Sequence, residues 1–285
     1  VIMPGLICAH HHLYSTYAAG ISSEPARNFV EVLQKLWWKL DRALDLDDVY
    51  YSALIPLARC IRAGTTTLID HHASPEAIEG SLGRIADAVT EAGLRASLCY
   101  EVTDRNGADG AAAGLAESEA WLERCKGSDM LHGLVGVHAA MTVGEETLGA
   151  CAALARKHDT GLHIHVAEDA VDQYHSLQTY DKRVVQRLND HGALGPDTIA
   201  VHCVHVHESE VDLLAASGTI VVHNPQSNMN NAVGCADVPG LLAKGVDVCL
   251  GTDGMTSNML EEARASLFVR HHVADDPSAG FGETV

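Results

Sequence analysis

Short apolar runs recur along the chain and alternate with longer stretches of helical period. The runs are GLICA before His10, TTLID to Asp70, RASLCYEV to Val102, GLVGVH to His138, GLHIHV to Val166, TIAVHC to Cys203, TIVVHN to Asn224 and VDVCLGT to Thr252. They are apolar on both faces, as strands of a buried parallel sheet are. Helical stretches fall between them, among others over residues 28–44, 76–93, 113–125 and 145–158. Gly93, Gly161, Gly192, the Gly195-Pro196 pair and Gly218 mostly follow helices, where a left-handed cap costs glycine least. Eight such β/α units in 285 residues predict an α/β fold, a (β/α)8 TIM barrel, as a single domain over residues 1–285. A doubly wound open sheet would more often carry a Gly-rich phosphate loop after its first strand, where this chain has HHHLYS. The Gly/Ala-rich residues 106–114 read as a mobile surface loop. Residues 13–27 lack a clear period and read as an active-site loop.

Histidine is the residue that gives this scaffold a chemistry. There are 18, and His10, His12, His71, His72, His138, His165, His202 and His223 fall at the C-terminal ends of predicted strands. That is the face on which barrels of this kind build their active sites. Residues two apart on a strand share a face, so His10 and His12 point together into the barrel mouth, and His11 points away toward a helix. Paired imidazoles suit Zn²⁺ or Fe²⁺. His163 and His165 share a face in the same way, and Glu168 lies three residues past His165, where a carboxylate could shuttle a proton beside a metal. His202 ends the sixth strand. Asp253, in GTDG after the eighth, could hold a metal and accept a proton from water, although Asp-Gly is also an ordinary turn pair. Ser227 and Asn228 read as turn residues that satisfy backbone groups.

Charge narrows the partners. Lys and Arg total 19 against 38 Asp and Glu, a formal charge of −19, which repels phosphate backbones and anionic membranes and leaves a small-molecule substrate. The eight cysteines, Cys8, Cys60, Cys99, Cys125, Cys151, Cys203, Cys235 and Cys249, form no CxxC pair, which fits a reducing, cytoplasmic setting. No apolar run reaches the ~20 residues of a membrane span. The chain starts at Val1 directly on a strand-like segment, so its natural N-terminus is expected to lie upstream, leaving targeting signals open.

The ordered set MPGLICAHHHL, GTTTLID, HIHVAE, VHCVH, HNPQSN and LGTDG resembles the amidohydrolase superfamily, in its cytosine-deaminase-like and chlorohydrolase-like branch. LWWKLDRALD, YYSALI, IDHHASP, TDRN, GLHIHVAED and SNMNNAVG more closely resemble the aminohydrolases associated with selenium metabolism in bacteria. The resemblance implies one divalent metal, zinc or iron, held by His10, His12, His165 and Asp253, with His202 as a ligand or a partner of the water. It implies Glu168 as proton shuttle at the substrate and His138 in the substrate pocket. It further implies hydrolytic deamination of a cyclic amidine such as a purine, pyrimidine, pterin or triazine. A chloride-expelling or cyclic-amide hydrolase, or an inert metal-binding barrel, are the alternatives. Two departures stand out: the flanking β-sandwich of the superfamily is absent, and the DHH at Asp70–His72 is not general in it, which assigns His71 and His72 no role; His138 takes the place where binuclear relatives carry a lysine, which favours one metal over two. A homo-oligomer is expected, because the missing sandwich would cover apolar surface.

Overall fold

The computed structural model describes residues 2–280. Nine parallel strands form its centre: β1 (Leu6–His11), β2 (Thr65–His72), β3 (Arg95–Tyr100), β4 (Leu131–Gly133), β5 (Val135–Ala139), β6 (Leu162–Val166), β7 (Ile199–His202), β8 (Ile220–His223) and β9 (Val248–Leu250). They pair in chain order as two sheets, β1 to β4 and β5 to β9. Backbone bonds join the sheets at both seams. Val102 bridges Val137, and the Thr252 and Asp253 amides donate to the His10 carbonyl at 2.9 and 3.1 Å. The architecture is the TIM barrel expected from the pattern. The predicted fourth strand is split at Leu134, whose amide reaches back to Leu98, so β4 and β5 are two halves of one barrel position.

Helices cover the outside. The helix Leu46–Ala63 begins at a capping box between Asp45 and Asp48 and ends at Gly64 in the left-handed region, the turn that sends the chain into β2. The expected loop over 106–114 is not a loop. The helix Gly107–Arg124 runs through it, because its alanines favour helix and Gly114 lies so close to the Tyr100 ring that a Cβ would stand 3.1 Å from it. The helical stretch expected over 28–44 spans Phe29–Ala43 with a π-helical section at Leu33–Trp37. Residues 13–27 open with a 3-10 turn, Leu13–Ala18, that carries Tyr14. All eight cysteines are free thiols.

The last described helix, Met259–Ala274, buries Glu262 completely. Its carboxylate accepts from the Gln226 amide at 3.0 Å and from Gln226 Nε2 at 2.7 Å. Burial pushes this carboxyl from 4.5 up to about 7. The folded chain therefore keeps a proton that the unfolded chain releases between those values. The associated stability is present below about pH 4.5 and is lost as pH rises through 7, on the order of 3 kcal/mol in all. Glu262→Gln, with the Gln226 amide turned to match, should raise the melting temperature over the parent by more at pH 8 than at pH 5. Equal differences at the two pH values would refute the assignment.

Candidate active site

The C-terminal ends of the strands meet at one mouth, and local backbone features aim their side chains into it. In β1, Cys8 pairs with Leu68 but His11 pairs with Asp70, so three steps oppose two and a bulge falls at Ala9–His10. His10 and His12 face the interior with ring centroids 4.7 Å apart, and His11 turns out to Ser257 Oγ at 3.2 Å. A second irregularity in β5 falls at His138. Ala167, His202, Cys203 and Asp253, past or at the ends of β6, β7 and β9, have φ between 47° and 72°. Such left-handed backbone is costly for residues with a Cβ, and it concentrates where the chain must direct groups at one point.

Imidazole hydrogen bonds set which nitrogens face the centre. A carbonyl can only accept, so His12 Nδ1 donates to the His71 carbonyl and His165 Nδ1 to the His138 carbonyl, each at 2.6 Å. His202 Nδ1 donates to Asn228 Oδ1 at 2.8 Å. The Nε2 atoms of all three rings are then lone-pair donors. His12 Nε2 and His165 Nε2 stand 3.2 Å apart, and the buried Nε2 atoms of His10 and His202 have no hydrogen-bond partner. Asp253 Oδ1 lies 3.3 Å from His12 Nε2 and 3.7 Å from His10 Nε2, and Oδ2 lies 3.7 Å from His202 Nε2. Lone pairs crowded together without a proton between them repel unless a cation joins them. This donor set of imidazoles and a carboxylate fits one divalent ion such as zinc. Burial holds His10 and His165 well below the ordinary imidazole range, which favours their neutral, ligating form.

The two nearby carboxylates are placed differently. Glu168 stays outside the imidazole cluster, with Oε2 3.5 Å from His202 Nε2 and Oε1 accepting from Asn231 Nδ2 at 3.2 Å. Burial, followed by the charge of Asp253, pushes its carboxyl well above the usual range. Burial acts the same way on Asp253, and against it work contact with His10 and, when those rings are protonated, the charges of His12, His10 and His202, which hold that carboxyl well below its ordinary value.

A cavity opens over these groups and is bordered by His12, His165, Glu168, Asp253 and His138. His138 bonds Thr142 Oγ1 through Nδ1 at 2.8 Å, and its Nε2 lies 3.8 Å from Glu101 Oε1. The structure thus brings together every residue singled out for the site. Glu101 just past β3, and Asp41, Trp37 and Trp38 in the helical segment above, also border the cavity; the last three lie in the LWWKLDRALD motif, which gave them no role, and Glu101 lies in no motif. Position alone, at the end of the third predicted strand, could have pointed to Glu101. Burial would raise its carboxyl, but His138, His71 and Arg105 outweigh it and keep it well below the usual range. His71 is engaged on both sides, by Glu101 Oε2 at 3.2 Å and the His163 carbonyl at 3.0 Å, and His72 bonds Ser74. Asn228 is more than a turn residue, because it orients His202.

The chain belongs to the amidohydrolase family, whose model matches residues 1–283. It is 34% identical over 284 residues to a 5'-deoxyadenosine deaminase of Methanopyrus kandleri, covering 98% of this chain and 64% of that protein. It is 34% identical over 292 residues to a 5-methylthioadenosine/S-adenosylhomocysteine deaminase of Syntrophobacter fumaroxidans, covering 100% of this chain and 64% of that one. An adenosine deaminase of Xanthomonas campestris, solved with zinc bound, superposes with a TM-score of 0.88 at 25% identity, over 97% of this chain and 63% of that chain. The chain therefore spans about 64% of the length of the curated relatives it matches.

Proposed function

We propose that residues 1–285 form the single catalytic domain of a zinc- or iron-dependent aminohydrolase, and that it deaminates a cyclic amidine, an amino-purine first among them. The observation that carries this reading is the convergence of the Nε2 atoms of His10, His12, His165 and His202 with Asp253, with Glu168 held just outside it. The deaminase names of its relatives point the same way. His10, His12, His165 and Asp253 would hold the metal, with His202 beside them. When bound, the metal supplies the Lewis acidity that makes water a nucleophile at neutral pH. Asp253 and His202 orient the attacking water, and Asp253 takes its proton. Glu168 delivers a proton to the ring or leaving nitrogen as the new C–O bond forms and the C–N bond breaks, so the products are the keto compound and ammonia. His138 contacts the substrate.

The same reading makes the protein a cytoplasmic homo-oligomer with no nucleic-acid partner. The exposed apolar side chains of Ile7, Phe268 and Val273 support association. No helix among the described residues is long and apolar enough to cross a membrane.

Elemental analysis of the purified chain should find close to one zinc or iron per chain, and amino-purines or amino-pyrimidines should release ammonia. Chloride release from chlorinated triazines without ammonia from any amine would refute deamination. Two metals per chain would refute the mononuclear site.

A further inference from the structure

We infer that the cavity between the helices Val238–Ala243 and Met259–Ala274 is a second binding site, separate from the active site, for a small organic acid with an apolar body. The cavity lies over β8 and β9, and His223, Cys235, Cys249, Ser266 and Arg270 border it together with aliphatic side chains. It shares no bordering residue with the cavity over the histidine cluster. His223, at the end of β8, is 2% exposed, whereas Leu242 and Cys249 are exposed, so the cavity runs inward from an open edge to the imidazole.

Charge and an orphaned nitrogen select the acid head. The chain carries 38 Asp and Glu against 19 Lys and Arg, yet among the described residues no carboxylate borders this cavity and the guanidinium of Arg270 does. The active-site cavity is the reverse: Asp41, Glu101, Glu168, Asp169, Asp172 and Asp253 border it, without a lysine or arginine among the described residues. The local field therefore admits an anion where the chain as a whole repels one. Nδ1 of His223 is buried and has no hydrogen-bond partner. A buried polar atom left unpaired is unusual in a folded protein, and on a residue that borders a cavity it marks a place for a ligand group. A carboxylate accepts from an imidazole N–H as it does from a guanidinium. The rest of the wall selects the body. Ala236, Val238, Leu242, Val248, Leu250 and Val269 offer only apolar surface, from which an alkyl chain gains and a bare inorganic anion does not.

The test uses the metal-loaded chain and three probes: octanoate, octanol of the same chain length, and inorganic phosphate. Cys235 and Cys249 border the cavity, so occupancy is read as slower alkylation of these two thiols by iodoacetamide, followed residue by residue by mass spectrometry. Cys125, half-buried and outside the cavity, is the thiol that should not respond, and labelling of the buried Cys8, Cys60, Cys99, Cys151 and Cys203 would report unfolding. Octanoate should protect Cys235 and Cys249 with half-protection below ~1 mM. Octanol should need at least ~10-fold more, because it lacks the charge-assisted bonds, and phosphate should not protect. Arg270→Gln should erase the difference between octanoate and octanol. Val269→Trp, which adds bulk to the wall, should remove protection by both. Equal protection by acid and alcohol on the parent chain overturns the acid head. Absence of protection, or equal slowing at Cys125, overturns the site. So does protection that grows with protein concentration in the absence of a probe, which would give this face to a second copy of the chain. Should the variants not fold, the ranking of probes on the parent chain decides alone. None of these measurements needs turnover, so they stand or fall separately from the deaminase reading.

Discussion

Glu168→Gln should leave metal content and melting temperature unchanged while lowering turnover by about 10²–10⁴-fold, the usual contribution of a general acid–base group. The expectation follows from where Glu168 stands. It borders the cavity, approaches the cluster only through His202 at 3.5 Å, and is steadied from the other side by Asn231. Glutamine keeps the shape and can still accept from Asn231, so neither packing nor the donor set changes. What it cannot do is carry a proton. Metal analysis, thermal unfolding and ammonia release on the same preparation separate these effects. A variant that lost its metal would place Glu168 among the ligands and remove it as a shuttle.

Asp253→Ala should do the opposite and reduce both metal retention and rate. Asp253 spans the cluster, one oxygen toward His10 and His12 and the other toward His202. Deleting it removes the negative charge that balances a cation among neutral imidazoles, as well as the base for water. Loss of a zinc ligand together with an acid–base group should lower turnover by at least the ~10²–10⁴-fold expected at Glu168. Part of the loss should be recovered at high added metal, because the imidazoles remain. Dialysis against a mild chelator followed by metal analysis gives the first number, and turnover against added zinc gives the second. Full metal occupancy and activity in this variant would contradict the ligand set and the hydrolytic mechanism built on it.

How far the site could be read in advance varies residue by residue. The strand-end histidines were readable because strand alternation is local. His10 and His12 share a face whatever surrounds them, and the bulge at Ala9–His10 leaves both inside. The loop expected over 106–114 failed for an equally local reason: a Gly/Ala-rich run suits a loop or a helix, and packing of Gly114 on Tyr100 favours the helix. Asn228 was read through its turn chemistry, and its bond to His202 depends on how two loops meet.

The sequence by itself determined the eightfold alternation of strand and helix, the face on which the histidines gather and the order in which they arrive, since each depends on a period or a spacing within one element. Only the tertiary structure decided the rest. Glu101 and Arg105 stand four residues apart just past β3 and Asp41 comes from the helical segment about sixty residues earlier, yet the three form one buried charge network. His71 bonds the His163 carbonyl through Nε2 and has Glu101 Oε2 3.2 Å from its Nδ1, so it lies against that network. The tautomers that leave Nε2 bare at His12 and His165 are set by carbonyls on neighbouring strands, β2 and β5. Contacts of this kind depend on the stagger between strands and on closure of the barrel, which bring together groups far apart in the chain.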